Sequence, residues 1–313
     1  MKFKNKRYIA QTTDPLHVGS GGERLGRVDM PVARDPVSRA PKIPGTALSG
    51  ALKFFADWSL RDAGVKTNSC ASIMGSDREN PHDHTRCPIC SVFGFTGEED
   101  PDSSSSVGKQ PTLSMQGTVR FSDAALLAFP LSSYLGAIWV TTPDRLLQAG
   151  ADVAVDTSQD SFILPDTNDL EINLLDGRLN LGWILLEKAA ETLPLQSLMG
   201  AGIEEAIAKR TVVVSEWLFG NLANDNLERR TSVVINPETG AAKTGGLFTL
   251  EAVPRGSLFI FDLVLHEYGK LSWNTVVWAA EGATKPMDSL EMIEAHAFPG
   301  IASVGMGGMT TRG

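Results

Sequence analysis

The chain has 313 residues, 42% hydrophobic and 21% charged, which suits a globular protein with a substantial core and excludes a disordered or fibrous one. Its longest apolar runs, such as residues 124–130, are too short for a membrane helix, and MKFKNKRYIA lacks the apolar stretch of a signal peptide. The net charge of −9 disfavours nucleic acid as a partner only if it is spread evenly, and it is not: residues 144–178 hold eight acids against two bases, and residues 98–102 hold four acids and no base. The remainder is close to neutral, so a phosphate-binding face on it is allowed. Three cysteines, an odd number, argue against a disulfide framework and for a reducing cytoplasm.

Residues 8–13 read as a short strand leading into HVGSGGERLGRVDMPVARDPVSR, residues 17–39. Glycine lets a backbone approach a ligand and aim N–H groups at an anion, and arginine forks onto phosphate. Arg24, Arg27, Arg34 and Arg39 are therefore candidate phosphate contacts, and Asp29 is a carboxylate set among them. Such a group is ill suited to binding phosphate and well suited to chemistry beside it. Asp14 and Asp35 are nearby alternatives, His17 is a candidate acid or base, and a plain solvated surface loop is the competing reading.

KIPGTALSGALKFFADWSL follows as a helix, with Thr46 a plausible N-cap, Leu48, Ala51, Leu52 and Phe55 at helical spacing, and Lys53 near them. A helix N-terminus beside a glycine-rich loop is an anion site, so Lys53 is a candidate contact as well as an ordinary solvated lysine. All three cysteines then fall within 21 residues. Cys87 and Cys90 form a CxxC knuckle, with Cys70 upstream and His82 and His84 between. Zinc takes four N or S ligands, and Cys70, His84, Cys87 and Cys90 would close a structural site, His84 being the nearer histidine to the knuckle. Three unliganded buried cysteines are the alternative. A zinc deaminase is disfavoured by the missing HxE segment.

Beyond an acidic, serine-rich loop, VRFSDAALLAF reads as a strand followed by a turn or helix. The acidic stretch to about Arg178, with its short apolar pieces SFILP and EINLL, reads as irregular decoration; residues 181–190 and 203–209 read as helical. From Val212 to Leu265 three strand-like runs are broken by Pro-Glu-Thr-Gly and Pro-Arg-Gly, with Glu228, Arg229 and Arg230 at the mouth of the first. The tail FPGIASVGMGGMTTRG is glycine-rich again and carries Arg312. Two such loops suggest one shared anion-binding surface.

LHVGSGGERLGRVDMPVARD, IPGTALSGALK, CPICSVFG, ERRTSVVINPETGAAKTGGLFTLEAVPRGSLF and the glycine-rich tail occur in an order that resembles the RAMP superfamily. Within it, the likeness is to the repeated backbone subunits of the type III-B CRISPR Cmr complex. The resemblance implies an α+β fold: a ferredoxin-like (RRM-like) core forming one domain over residues 1–313. Into that core would be set a cysteine/histidine and acidic region at 66–112, an acidic insertion at 143–180 and a thumb-like hairpin region at 207–256. It implies copies stacked along a CRISPR guide RNA with other effector subunits, away from membranes. Thumbs would kink the guide–target duplex, and single-stranded target RNA would be cut near each kink. By position in the Gly-x-Val-Asp-x-Pro pattern the aspartate needed for cutting is Asp29. Arg229, Arg230 and Arg312 would touch RNA.

The chemistry is consistent. A kink splays a nucleotide so that its 2′-hydroxyl lines up with the adjacent phosphorus, which an A-form helix prevents. A carboxylate there serves as base or holds Mg or another divalent cation. A 2′,3′-cyclic phosphate and a 5′-hydroxyl are the expected products. A guide-binding scaffold without nuclease activity, a related RAMP subunit of another type III complex, and a zinc-stabilised interaction module without RNA are the competing readings.

Overall fold

A computed structural model of the chain describes residues 3–20, 28–65, 67, 87–95, 115–266 and 288–307. In chain order its elements begin with β1 (Phe3–Gln11), β2 (Lys42–Ile43), α1 (Gly45–Asp62), α2 (Pro88–Phe93), β3 (Gly94–Phe95), β4 (Met115–Gln116), β5 (Val119–Phe121) and β6 (Ala124–Ser133). There follow β7 (Gly136–Thr141), α3 (Pro143–Gln148), β8 (Ser161–Pro165), α4 (Asn168–Glu171), β9 (Arg178–Leu181), β10 (Ile184–Leu193), α5 (Leu195–Gly200) and α6 (Glu205–Ala208). The remainder is β11 (Thr211–Val213), α7 (Glu216–Asp225), β12 (Glu228–Ile235), β13 (Ala242–Ala252), β14 (Leu258–His266), α8 (Ser289–His296) and α9 (Phe298–Val304). The fold is thus mixed α and β, divided into two compact units.

The first unit draws on Met1–Arg7, Gly45–Ser122 and Asp262–Met306. Its centre is α1, whose apolar stripe buries Leu48, Leu52, Phe55 and Leu60. The helix starts at Gly45, which puts Thr46 inside the first turn instead of at the cap. Ser59 on α1 bonds the Nδ1 of His296 on α8 at 2.9 Å. Burial holds the imidazole of His296 below its usual pKa. Asp288 opens α8 with a capping box shared with Glu291.

The second unit draws on Tyr8–Pro44, Asp123–Phe261 and Gly307–Gly313. Within it lie the neighbouring strands β6-β7-β11-β8-β10-β9, in that order, with β2 paired to β6. Leu127, Leu146, Ile163, Leu198, Ile203 and Val213 belong to its core. Thr142 and Ser215 accept the backbone N–H groups of Arg145 and Leu218, which fixes the starts of α3 and α7.

Three local expectations give way to the sheet. SFILP is not decoration: it is β8, parallel to β10, with Phe162, Ile163 and Leu164 fully buried. Residues 181–190, rich in Leu, Ala, Glu and Lys, are not helical; they form the β9–β10 hairpin, because pairing with β8 outweighs intrinsic helix preference. AALLAF is strand throughout, as part of β6. The tail motif FPGIASV is helical, as α9, and not loop.

β12 and β13 form a separate two-stranded antiparallel hairpin in which Arg229 faces Glu251 and Thr231 faces Thr249. The Pro-Arg-Gly break that follows is tight. Gly256 has φ +89°, and a side chain there would meet the ring of Trp139, whose Nε1 donates to the Gly256 carbonyl at 2.7 Å.

Candidate functional site

Backbone groups along a strand point alternately to its two edges. In β13 one edge serves β12. On the other, Thr249 and Glu251, and then Val253 just beyond the strand, turn their N–H and C=O groups towards the arginine-flanked loop. Leu16 and Val253 exchange two hydrogen bonds of 2.8 Å. The Glu251 N–H donates to the Met30 carbonyl at 3.0 Å, and the Thr249 carbonyl accepts from Asp29 N and Met30 N, both at 3.1 Å. The loop also pairs with itself: Ala33 N donates to Val18 O at 2.8 Å, and Gly19 bridges Val32. A stretch with little apolar content is thus ordered by main-chain pairing, with Val18, Val32 and Ala33 its small buried anchor.

Asp29 sits at the end of this pairing among the described residues. Its side chain is exposed, and its Oδ2 accepts the Thr249 N–H at 2.7 Å. The carboxylate takes the place that a neighbouring strand's carbonyl would occupy. Its other oxygen has no partner among the described residues.

His17 is buried and its Nδ1 lies 2.6 Å from the Glu251 carbonyl. A carbonyl only accepts, so Nδ1 carries the proton and, in the neutral ring, Nε2 is the bare nitrogen. Gly307 approaches the same turn with φ +122°, and a Cβ there would lie 2.7 Å from the His17 carbonyl oxygen. The tail therefore reaches the loop through its backbone, at a position that only glycine fills without strain.

The two other aspartates differ from Asp29. Asp35 Oδ1 accepts from Val37 N, Ser38 N and Ser38 Oγ at 2.8–3.1 Å. The Ser38 backbone N–H does most to hold its carboxyl below the usual range, and the Asp35 side chain is committed to its own turn. Asp14 is exposed on the approach from β1.

The arginines divide similarly. All three guanidinium nitrogens of Arg34 face inwards: Nε donates to Asn224 Oδ1 at 2.7 Å, Nη1 to Val32 O at 3.0 Å and Nη2 to Glu251 Oε2 at 2.8 Å. Arg39 is exposed at φ 62°, and its carbonyl accepts from Asn224 Nδ2 at 3.0 Å. Arg229 is exposed on β12, and Arg230 pairs with Glu228 at 3.2 Å. The second unit thus gathers Asp29, His17, Arg34, Arg39, Arg229 and Arg230 around the base of one hairpin. Lys53 belongs to the first unit, half-buried on α1. Arg24, Arg27 and Arg312 lie outside the described residues, as do Cys70, His82 and His84.

Cys87 and Cys90 flank the first turn of α2, both almost wholly buried. Two thiols three residues apart on one turn suit half of a tetrahedral site. Among the described residues no cluster of three or more ligands forms. No helix among them is long and apolar enough to cross a membrane.

Sequence reasoning missed Glu251 and Asn224, the residues that tie this region together. Glu251 lies in an ordinary strand run and Asn224 at the end of a helix that no motif marked.

Comparison with known proteins agrees with this architecture. The chain is 25% identical over 268 residues to the CRISPR system Cmr endoribonuclease Cmr4 of Pyrococcus furiosus, covering 81% of this chain and 79% of that one. It is 54% identical over 83 residues to the CRISPR system Cms endoribonuclease Csm3 of Mycobacterium tuberculosis, covering 26% of this chain and 30% of the other. Its fold matches a chain of the Type III-B Cmr-beta assembly bound to cognate target RNA with a TM-score of 0.55 at 18% identity, covering 86% of each. The RAMP superfamily model spans residues 9–313, and the chain is a member of that superfamily.

Proposed function

We propose that this chain is a guide-RNA-binding backbone subunit of a type III CRISPR effector of the Cmr kind. In that role it stacks with copies of itself and with other effector subunits, and cuts the complementary target RNA at regular intervals. The overall likeness to an endoribonuclease, across about four-fifths of both chains, supports the class of activity. One observation carries the assignment of the cutting residue: Asp29 is exposed, and the Thr249 N–H fixes it at the base of the hairpin.

In this reading the β12–β13 hairpin is the thumb that kinks the guide–target duplex. Arg229 and Arg39 contact phosphate beside it, and Arg24, Arg27, Lys53 and Arg312 are further phosphate contacts. The Asp29 oxygen that has no partner among the described residues faces the splayed nucleotide and takes the proton of its 2′-hydroxyl. The 2′-oxygen attacks the adjacent phosphorus, the bond from phosphorus to the 5′-oxygen breaks, and that leaving oxygen is protonated from solvent, which gives a 2′,3′-cyclic phosphate and a 5′-hydroxyl. Asp29 is also the residue that would hold Mg²⁺ or another divalent cation, which when bound supplies charge stabilisation at the phosphate. His17, through Nε2, is the second group suited to proton transfer. Zinc held by Cys87 and Cys90 with Cys70 and His84 would brace the first unit. Metal analysis of the purified protein then gives about one equivalent of zinc, and a folded, zinc-free protein overturns that part.

The bond to Thr249 favours a second reading, in which Asp29 only caps a strand edge and the subunit is a scaffold. The local match to Csm3 likewise favours a sister type III complex as the assembly. Asp29→Asn separates enzyme from scaffold, because an amide oxygen still accepts from Thr249 while the charge is lost. The assembled complex, given matching RNA and Mg²⁺, should yield an evenly spaced ladder of cuts. The Asn variant should bind guide and target and leave the target whole. A full ladder from the variant removes Asp29 from the chemistry, and intact RNA with the parent complex selects the scaffold. The subunits that co-purify with the chain identify the type of complex.

A further inference from the structure

The most connected side chains near Asp29 are not among the exposed arginines. Glu251 grips the loop with three groups that make four bonds: its N–H on Met30, its carbonyl on His17 Nδ1, and its Oε2 on both Val32 N and Arg34 Nη2. Arg34 passes the connection on through Nε to Asn224, whose Nδ2 donates to the carbonyls of Arg39 and Gly220. Arg34 and Glu251 are 21% and 12% exposed, so their ion pair is largely shielded from water. Asn224 lies near the end of α7, and β12 begins at Glu228. The path from α7 through β12 and β13 to Glu251, across to Arg34 and back to Asn224 is therefore a closed ring around the root of the hairpin.

A two-stranded ribbon joined to its domain at one end would swing about that root. The clasp opposes such a swing by tying the helix before the hairpin and the strand that ends it to the loop that bears Asp29. The ion pair is too enclosed to meet a phosphate squarely, and each guanidinium nitrogen of Arg34 already spends an N–H inside the protein, three of its five donors in all. We infer that Arg34, clasped between Asn224 and Glu251, is a positioning residue that sets the distance between Asp29 and the hairpin, and not a contact to RNA. This rests on the proposed role of Asp29. Misplacing a catalytic group by about 1 Å costs on the order of 100-fold in rate, so the arrangement has a measurable consequence.

The test compares Arg34→Lys and Asn224→Asp with the parent in the assembled complex, with Asp29→Asn alongside. Lysine keeps a charge for Glu251 and loses the fork. Aspartate keeps the acceptor for Arg34 and loses the donor for Arg39. For both variants we expect single-turnover cutting at saturating target to fall by about 10- to 100-fold, target affinity to stay within about twofold, and the salt dependence of binding to be unchanged. Cut positions should also spread to neighbouring nucleotides, which a loss of stability alone would not cause. Melting curves of the two complexes identify a variant that has failed to fold, in which case the milder Asn224→Asp decides. A salt slope reduced by about one, with rate at saturation intact, makes Arg34 a phosphate contact and overturns the inference. So does parental cutting by both variants while Asp29→Asn is inactive. Parental cutting by Asp29→Asn instead removes the underlying assignment.

Discussion

The two ends of the β12–β13 hairpin are built to different standards. At the root, β13 is bonded along both edges, to β12 on one side and to the Asp29 loop on the other, and Leu250 and Ala252 are buried. Towards the tip β13 pairs, among the described residues, with β12 alone, and Val233, Val234, Ile235 and Leu247 stand exposed. An isolated two-stranded ribbon is marginal in water, so the root supplies the order that the tip lacks. For the proposed function the lesson is a division of labour: a fixed base that would place a carboxylate, and an apolar end that would pry a nucleic acid open.

The largest way to break this contrast is at the root. Glu251→Ala leaves the enclosed Arg34 guanidinium without its counter-charge and frees Val32 N. It should cost about 2–3 kcal/mol in denaturant unfolding, less than a fully buried pair because some solvent reaches both groups. A loss below about 0.5 kcal/mol would mean that the two ends are alike.

A smaller effect is expected one turn away, at Asp35. Its folded pKa is depressed, so it adds stability above the ordinary carboxylate pKa, and that contribution disappears as pH falls through the depressed value. Asp35→Ala should therefore lower the melting temperature at neutral pH and converge on the parent in acid. A gap that widened on acidification would reverse the sign and reject the reading.

The smallest effect on stability belongs to the tip. Ile235→Ser with Leu247→Ser should stay within about 0.5 kcal/mol of the parent, since both residues are exposed. The same double variant should slow target cutting, because the proposed wedge loses its apolar faces. Unchanged cutting would restrict function to the root.

Much of this organisation was legible in the sequence, and the reasons are local. Pro-Glu-Thr-Gly and Pro-Arg-Gly punctuate strand-like runs, so β12, β13 and β14 follow from turn chemistry and alternation. Asp29 stood out because a carboxylate among arginines is chemically odd. What was not legible depends on distant partners. Residues 181–190 have helix-forming side chains and lie in a sheet because β8 is beside them. SFILP is too short for its periodicity to reveal a strand buried on both faces. Arg34 and Arg39 look alike in sequence, and only Asn224 and Glu251, roughly two hundred residues downstream, separate an internal fork from an exposed one.

The bond between Asp29 and Thr249 spans 220 positions of sequence. The loop is translated well before its main-chain partners. Contacts of such high sequence separation form late in folding. A nascent chain therefore carries its arginine-flanked segment unassembled on the ribosome, and the proposed cutting centre would not be complete before the hairpin has emerged.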